Sequence, residues 1–582
     1  MQKMCRICKN NFEIFQEDLD FLKKIGDLEN PPVEIPAPTL CPECRQVQRM
    51  AFRNQRKLYS RKCDVTGANI ISVFNPQSHH KVCEKNHWYS DKFDPLSYGR
   101  DFDFSKSFFE QFHSLLLDIP LPSLRVERCE NCEFNTDMSD SKNCYLCSRT
   151  HKSEDMMYTY RGSSSKSCVD CYQVLDSELL YDCVECINCY GSRNLYFSTQ
   201  CSNSGFLFDC HSCMDCMMCT NLRNKKYCFM NEQLTKEAYE EKVKGIDLGS
   251  EKVKQFALKH ALDFWKSAIK KDITSLSSEH SSGDNLVNVK NCFQCFGIKR
   301  CVDCRYLWDI KEYKDSMDAY SGGRDSELIY QATSTTSAYN CKFCFRVTNS
   351  SNVMYSFFID TSKNCFGCVG LRRAEYCILN KQYSKEEYEV LVPRIIEHMK
   401  KSFIVDRLSN FQDMDTKIGD KRQTINVPEW GEFFPASISP FGYNETVAQE
   451  YFPHTKEQAL ARGYTWSDYE SPAPNAAQQF DADQLPDSIS QATDDILNAT
   501  ICCQRSKKLF KITPKELEFY KKQNIPLPRL HPDERHMERF KRLNPLRLRK
   551  DVCARCKKQI ETTYSVGTEN VYCTECYQGV LV

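Results

Sequence analysis

The sequence predicts a mainly β protein with added helices: two tandem cysteine-rich β-solenoid-like blocks with helical caps, flanked at both termini by treble-clef or zinc-ribbon modules. Two observations support this fold class. A short motif ending in Cys-x-x-Cys starts at positions 142, 166, 290, 339 and 363, so that the step from 142 to 166 equals the step from 339 to 363. Further Cys-x-x-Cys pairs stand at both ends of the chain. A fixed period marks a repeat architecture, and paired cysteines mark metal sites.

The repeats form two copies of one larger block. Residues 176–181 match residues 325–330, and Cys216 matches Cys365 at the same offset of 149. The motif step predicts a coil of about 24 residues made of two equal half-turns, each giving a short strand. Thr235, followed by acidic residues, predicts the start of a helix that caps the first block.

Composition narrows the class of protein. The chain holds 36 cysteines in 582 residues, and its formal net charge is zero. No apolar run reaches the roughly 18 residues that span a bilayer, and no signal peptide is evident at the first residues. Cys-x-x-Cys pairs in a long chain without an export signal favour metal binding in a reducing compartment. We therefore expect a cytoplasmic protein without a membrane partner.

The terminal cysteines have the spacing of closed zinc sites. Two Cys-x-x-Cys pairs supply four thiolates, which complete a tetrahedral Zn²⁺ site and leave no open position for catalysis. The predicted structural ligands are Cys5, Cys8, Cys41 and Cys44 at the beginning of the chain, and Cys553, Cys556, Cys573 and Cys576 at its end.

The cysteines inside the repeat blocks allow three interpretations. Stacked pairs from neighbouring coils could share a zinc ion, the cysteines could be small buried apolar residues, or they could form disulfides. The candidate inner ligands are Cys144, Cys147, Cys168, Cys171, Cys183, Cys186, Cys189, Cys210, Cys213, Cys216, Cys219, Cys292, Cys295, Cys301, Cys304, Cys341, Cys344, Cys365 and Cys368.

The two ends of the chain read as copies of one module with two metal sites. Cys5 matches Cys503 at an offset of 498, and Cys63 matches Cys553 at an offset of 490. In the first copy the second site keeps Cys63 and Cys83 alone. Its other ligands could come from Asp64, His79, His80 or His87, but we favour a ribbon that folds without metal. In the second copy the first site keeps only Cys503, because Ser506, His531 and Glu534 replace its other ligands.

A helix with a basic face follows each first site. On a helical wheel the arginines after Cys44 fall on one side and apolar residues on the other. Such a face could bind phosphate groups, whereas a solvated helix surface is the simpler interpretation. The predicted nucleic-acid-binding residues are Arg45, Arg49, Arg53, Arg56, Arg535, Arg539 and Arg542.

These features divide the chain into seven predicted segments. They are a treble-clef-like zinc module with its basic helix (1–62), a degenerate zinc ribbon and helical packing segment (63–124), the first solenoid block with its capping helix (125–243), a helical linker (244–290), the second block with its capping helix (291–400), an aromatic and proline-rich extended strap and loop (401–499), and the C-terminal copy of the first module with an intact zinc ribbon (500–582).

Two resemblances add context. The stretch from Cys5 to Arg45 resembles the "probable zinc-ribbon" family, with its two Cys-x-x-Cys knuckles around a short helix. The motifs at 41–45, 52–54, 94–103 and 222–227 resemble a family of cysteine-rich proteins predicted in candidate-phyla (Patescibacteria-like) bacterial genomes, and the likeness spans nearly the whole chain. Members of that family are sometimes labelled CaiB/BaiF-type CoA-transferases, but this sequence lacks the βαβ pattern that such an enzyme needs.

The sequence therefore favours a non-enzymatic protein in which zinc is structural and basic helices bind RNA or DNA. A protein-interaction scaffold built on the solenoid is the alternative. A thiol redox protein comes third, since Cys-x-x-Cys pairs can exchange thiols. No catalytic His/Asp/Cys constellation or phosphate loop stands out in the sequence.

Overall fold

A computed structural model describes residues 1–401, 403–404 and 427–581. The chain divides into two compact units. Unit 1 combines residues 1–123, 273–469 and 546–548, and unit 2 combines residues 124–272, 470–545 and 549–582. Each unit thus joins one terminal module to the repeat block that lies further from it along the chain. Residues 402 and 405–426 of the predicted strap lie outside the described residues.

The repeat block of unit 2 is a parallel β-solenoid. Tyr160 pairs with Tyr172, and Tyr172 pairs with Val184, so that each strand lies beside the equivalent strand of the next coil. The eight strands of its main sheet are Val126–Glu127, Thr136–Ser139, Ser148–His151, Tyr160–Ser163, Tyr172–Leu175, Val184–Ile187, Arg193–Tyr196 and Gly205–Phe208.

The β-solenoid prediction is confirmed, with about 21 turns in the two blocks together. The predicted coil length is wrong by a factor of two, because one coil runs only from Tyr160 to Tyr172. The step of the Cys-x-x-Cys motif, from 142 to 166, therefore covers two coils. The motif recurs at every second coil because the coils in between carry other residues at the positions that the two cysteines occupy.

Each coil is made of four triplets. Every third residue is left-handed, as in the series Asn143, Leu146, Arg149 and Lys152, whose φ angles lie between 50° and 54°. The residue after each left-handed corner points inward and is buried, as Cys144 and Cys147 are. A Cys-x-x-Cys pair in the coils therefore occupies two successive inward positions, on neighbouring sides of the coil. The spacing of three residues between the two cysteines follows from the triplet.

Unit 1 contains the second block, in which Tyr339 pairs with Ser351 at the same coil length. Between Lys311 and Tyr313 the register shifts by one residue, so that Met317 pairs with Tyr330. The strands are Ser275–Glu279, Gly283–Lys290, Cys295–Lys299, Val302–Arg305, Trp308–Met317, Tyr320–Tyr330, Ser334–Thr336, Tyr339–Lys342, Arg346–Thr348, Ser351–Met354, Ile359–Asp360, Lys363–Phe366, Glu375–Ile378 and Lys381–Gln382. Part of the predicted linker (275–290) thus belongs to this solenoid.

The two terminal modules have the same order of elements, as their sequence match predicts. We call them the amino module (residues 1–88) and the carboxyl module (residues 499–581). In the first, the elements are Gln2–Met4, Asn11–Glu13, helix Gln16–Asp27, helix Pro42–Met50, Tyr59–Lys62, Asn69–Ser72, Val82–Cys83 and helix Lys85–Trp88. In the second, they are Ala499–Cys502, Leu509–Phe510, helix Pro514–Lys522, helix Pro532–Phe540, Arg549–Val552, Gln559–Thr562, Val571–Tyr572 and helix Thr574–Leu581.

Helices close the blocks and pack on them. Helix Lys236–Lys244 begins after Thr235, whose side chain accepts a hydrogen bond from the Ala238 amide, as predicted. In the described part of the chain, the other α-helices outside the two modules are Phe108–Asp118, Glu251–Lys266, Lys385–Lys401, Val447–Tyr451 and Lys456–Ala461. Among the described residues, no helix is long and apolar enough to cross a bilayer.

Candidate metal centres

The amino module brings its four predicted ligands together. Cys5 and Cys8 lie at the first strand hairpin, and Cys41 is the N-cap of helix Pro42–Met50, which carries Cys44. The four Sγ atoms all lie within 4.8 Å of one another, and Cys8 Sγ is 3.8 Å from Cys41 Sγ. Proline in the first turn begins the helix directly after Cys41, because its fixed φ suits that position.

The carboxyl module repeats the arrangement with its second pair of knuckles. Cys553 and Cys556 follow strand Arg549–Val552, and Cys573 and Cys576 surround the start of helix Thr574–Leu581. Their Sγ atoms also lie within 4.8 Å of one another, with 3.8 Å between Cys556 and Cys573.

Both clusters fit a tetrahedral metal ion. Zinc–sulfur bonds of about 2.3 Å place the sulfurs at the corners of a tetrahedron with edges of about 3.8 Å. The two measured sulfur pairs have this separation. Four cysteines fill all four positions of a zinc ion, so each cluster suits a structural ion. The predictions of four-cysteine sites that can hold a metal are therefore confirmed at both ends of the chain.

Hydrogen bonds favour the thiolate form of one cysteine in each cluster, Cys5 and Cys553, whereas the hydrogen bond with Cys41 raises the pKa of Cys44. The Cys41 and Cys44 side chains lower the pKa of Cys5 well below its usual range. In the carboxyl module, burial raises the pKa of Cys553, but amide donors of Cys556 and Cys573 outweigh it and bring the pKa to about 6. The Cys573 amide lies 3.3 Å from Cys553 Sγ. Amide donors therefore stabilise the charged sulfur that a metal ion binds.

The two degenerate sites show no metal cluster among the described residues. Cys63 accepts hydrogen bonds from the Thr66 and Glu84 amides at 3.2 Å and 3.3 Å, and the ribbon hairpin forms around it. Cys503 likewise accepts one from the His531 amide at 3.2 Å. At each of these sites, one cysteine thus holds its loop through backbone amide donors.

The inner cysteines do not assemble into metal sites. In the described part of the chain, no further group of three or more His, Cys, Asp or Glu ligand atoms lies within 4.8 Å of one another. The inner-ligand hypothesis is therefore not supported for Cys144, Cys147, Cys168, Cys171, Cys183, Cys186, Cys189, Cys210, Cys213, Cys216, Cys219, Cys292, Cys295, Cys301, Cys304, Cys341, Cys344, Cys365 and Cys368, all of which are buried.

The inner thiols instead act as small hydrogen-bonding core residues. Cys144 Sγ donates to the Lys142 carbonyl at 3.3 Å, and Cys292 Sγ donates to the Lys290 carbonyl at 3.4 Å. Burial raises the pKa of Cys147 to about 12. The Cys147 thiol therefore stays protonated, whereas hydrogen bonds from the Cys295 and Cys304 side chains lower the pKa of Cys292 to about 4.

The predicted basic face of the amino module is buried. Arg45 and Arg49 of helix Pro42–Met50 are 4% and 0% exposed, and both reach Asp318 of the solenoid, at 2.6 Å and 3.2 Å. Arg53 is buried as well, and Arg56 pairs with Glu450 at 2.9 Å. The helix presents its arginines to its own solenoid block.

The carboxyl module repeats this contact in unit 2. Arg535 and Arg539 both bind Asp170, with 3.0 Å for Arg539, and Arg535 lies 3.5 Å from Glu516. Arg542 lies over the ring of Tyr196, 4.6 Å from its centroid. Arg45, Arg49, Arg53, Arg535 and Arg539 are buried, and Arg56 and Arg542 are half-buried. The structure therefore does not support the predicted nucleic-acid surface at these residues.

Comparison with family models, curated proteins and solved structures finds no match to this chain. The family resemblance stated above therefore stays a prediction.

Sequence reasoning missed the acidic partners of the arginines. Asp170 and Asp318 stand at left-handed corners of the coils, with φ of 57° and 60°. Their positions match at an offset of 148. A signal was present, because a buried aspartate at equivalent places of two repeats calls for a cationic partner. The true coil length had to be recognised first.

Proposed function

We propose that the protein is a non-enzymatic scaffold, in which two β-solenoid blocks each carry a terminal module fastened by a structural zinc ion. The observation that carries this proposal is the pair of four-cysteine clusters with tetrahedral sulfur spacing. Zinc is the favoured ion because four thiolates without an open position are its usual structural site. Small apolar clusters surround the two sites, with Phe12, Ile14 and Leu40 at the first and Ile560 and Val571 at the second. Metal binding would add to the folding free energy that these clusters supply.

Metal analysis of protein purified under reducing conditions tests this proposal. We expect two zinc ions per chain, one fewer in Cys8→Ser, one fewer in Cys556→Ser and none in the double variant. Cys147→Ser is the matched control, since it changes an inward cysteine of the coils and should leave two zinc ions. Four or more ions in the native protein, or retention of two in the double variant, would contradict the proposal.

A protein partner is the second candidate function. Tyr190 and Tyr339 occupy equivalent places in the two blocks and are 49% and 47% exposed. Each block thus keeps a large aromatic side chain in solvent at the residue before a left-handed corner. Aromatic residues of this kind are enriched in the anchors of protein interfaces. The buried arginines, in contrast, offer no surface for nucleic acid.

Affinity capture with a nuclease step separates the two partner classes. We expect partners that survive nuclease treatment and that are lost by the Tyr190→Ala, Tyr339→Ala double variant. Phe256→Ala is the matched control, because it removes a 65% exposed aromatic side chain from helix Glu251–Lys266, outside the coils. A partner released by nuclease from the native protein, and unaffected by the double variant, would favour nucleic acid and contradict this candidate.

A further inference from the structure

One outward column of the first solenoid block alternates in charge from coil to coil. Its members pair as bridges of the parallel sheet, so that each lies about 4.8 Å from the next. Lys142 pairs with Glu130 at 3.2 Å, and Lys166 pairs with Glu154 at 3.3 Å. We call this column the charge ladder. Its members in order are Glu130, Lys142, Glu154, Lys166, Glu178, Tyr190, Ser202, Met214 and Lys226.

The charge ladder faces solvent. The side chains of Lys142 and Lys166 are 49% and 50% exposed, and Glu178 and Tyr190 are exposed as well. Alternation avoids the repulsion that like charges in neighbouring coils would cause, but exposed ion pairs of this kind contribute little to stability. The pairs within the chain therefore explain the alternation and leave much of the charged surface available to a partner.

The second block keeps most of this column, although neither copy is buried by packing. Six of its nine bridged outward residues are the same as in the charge ladder. The exposed corner column beside the ladder, in steps of twelve from Asp140 to Asn224, keeps one residue in eight, at Asp176 and Asp325. A contact outside the chain would account for this difference. The nine residues of the second block are Glu279, Lys290, Val302, Lys314, Glu327, Tyr339, Ser351, Lys363 and Glu375.

The spacing of the charge ladder fits another ladder of the same kind. Its charges change sign at every coil, and a second parallel β-solenoid presents side chains with the same period of about 4.8 Å. An extended peptide presents side chains on one face about 6.6–6.8 Å apart, which does not match the coils. A nucleic-acid backbone carries charge of one sign and would meet the three glutamates of the ladder.

Two-fold symmetry allows one complementary arrangement of two charge ladders. An axis along the solenoid sets each residue against its own copy, so that Glu154 meets Glu154 and like charges repel. An axis across the ladder, between Glu154 and Lys166, runs the two ladders antiparallel. Glu154 then meets Lys166 of the other copy, Lys142 meets Glu178, and the Tyr190 hydroxyl lies beside the Glu130 carboxylate.

We infer that the protein forms a two-fold dimer with a second copy of this chain through the antiparallel charge ladders of unit 2. The interface holds four ion pairs between copies, two of Glu154 with Lys166 and two of Lys142 with Glu178. In unit 1, Val302 takes the place of Glu154 and removes the two central pairs. The inference rests on the second candidate function, in which Tyr190 contacts a protein, and names that protein as another copy of the chain.

Sedimentation velocity of the full-length protein tests the dimer. At about 50 mM NaCl and micromolar protein concentration, we expect a species of twice the chain mass of 67.8 kDa. About 500 mM NaCl should weaken the dimer about tenfold, because salt screens exposed ion pairs. A monomer at low salt, or a dimer that does not respond to salt, would overturn the inference. A monomer that still captures a nuclease-resistant partner through Tyr190 would discard the dimer and keep the second candidate function.

Charge reversal identifies the surface. Lys142→Glu with Lys166→Glu makes the ladder acidic, and Glu154→Lys with Glu178→Lys makes its centre basic. Each variant alone should be monomeric at low salt, since the four pairs between copies then join like charges. An equimolar mixture should recover the dimer, because all four pairs are opposite again. A dimer of either variant alone, or no dimer in a mixture of variants that keep the native Tm, would contradict the inference.

Two further variants complete the test. Lys252→Glu with Lys259→Glu makes the same change in net charge as the acidic ladder, at exposed positions of helix Glu251–Lys266, and should stay dimeric. Glu154→Gln removes the two central pairs without stacking like charges, so it serves if a reversed ladder fails to fold. It should weaken the dimer about fivefold, and an unchanged dissociation constant would overturn the inference.

Discussion

At inward positions of the coils that hold serine or cysteine, one small polar side chain can serve two backbone groups. Ser177 Oγ donates to the Leu175 carbonyl at 2.8 Å and accepts from the Cys189 amide of the next coil at 3.1 Å. Cys183 Sγ accepts in the same way from the Leu195 amide at 3.5 Å. The inward amide thus takes its acceptor from the preceding coil, which explains why serine and cysteine recur there.

Replacing Ser177 by alanine should therefore leave one buried backbone amide without an acceptor. We expect Ser177→Ala to lower the free energy of unfolding by about 1–3 kcal/mol, because the Cys189 amide loses its partner, whereas the Leu175 carbonyl keeps the Asn188 amide at 3.0 Å. Ser177→Cys should recover most of this loss, since a thiol serves the same groups elsewhere in the coils. Chemical denaturation measures both, with the exposed Ser164→Ala as control. Equal stability of Ser177→Ala and Ser164→Ala would refute this account.

The residue identities predicted the terminal metal clusters but could not predict the role of the inner cysteines. At both termini two knuckles come from separate elements, so four sulfurs converge. In the coils, successive inward residues belong to one continuous chain and lie on different sides of the coil. Identical Cys-x-x-Cys letters therefore have different geometry, and only the period of the surrounding sequence distinguishes them. Cys5 and Cys144 illustrate the two cases.

At the scale of elements, the arginine helices show how a helical wheel can be correct and its interpretation wrong. The wheel placed Arg45 and Arg49 on one face, and both do lie together against Asp318. The many basic residues in the segment suggested solvent and phosphate, because charged residues are rarely buried. The aspartate at the coil corner reverses this expectation by supplying the opposite charge. A helix sequence alone does not contain its partner.

The sequence predicted that the coils contain short strands, but it did not predict the length of one coil. Alternation of buried and partly exposed residues within a short strand such as Tyr160–Ser163 is interrupted by left-handed corners. Non-glycine residues such as Leu146 and Tyr158 hold positive φ at these corners. Asn and Asp are typical of such corners, but Leu and Tyr are not. Residue preferences alone therefore did not reveal the three-residue repeat.

At the scale of the whole chain, each unit draws on distant segments. The amino module belongs with the second block, and the carboxyl module belongs with the first. The order of segments along the chain suggests that each module packs on the block next to it in sequence. The internal duplication alone does not show which module belongs to which block. The duplicated Arg-Asp-Arg contacts resolve this pairing, because Asp318 and Asp170 each bind the arginines of the module from the opposite end of the chain.

Because the carboxyl module belongs with the first block, we expect it to stay bound to that block when the chain is cut between the segments of the two units. A protease site inserted in the exposed stretch 471–477 would separate the carboxyl module from the rest of the chain. We expect the two fragments to co-elute in gel filtration after cleavage, because Asp170 of the first block pairs with the buried Arg535 and Arg539 of the carboxyl module.

The charge at Asp170 provides the control for that experiment. Asp170→Arg in the cleavable protein places a third buried cation beside Arg535 and Arg539, and breaking a buried ion pair costs about 3–5 kcal/mol. We expect the cleaved carboxyl fragment of this variant to elute separately, whereas Asp176→Arg, at an exposed corner, should still co-elute. Release of the fragment from the cleaved native protein would mean that the carboxyl module does not depend on the first block for its place, contrary to the buried arginine contact.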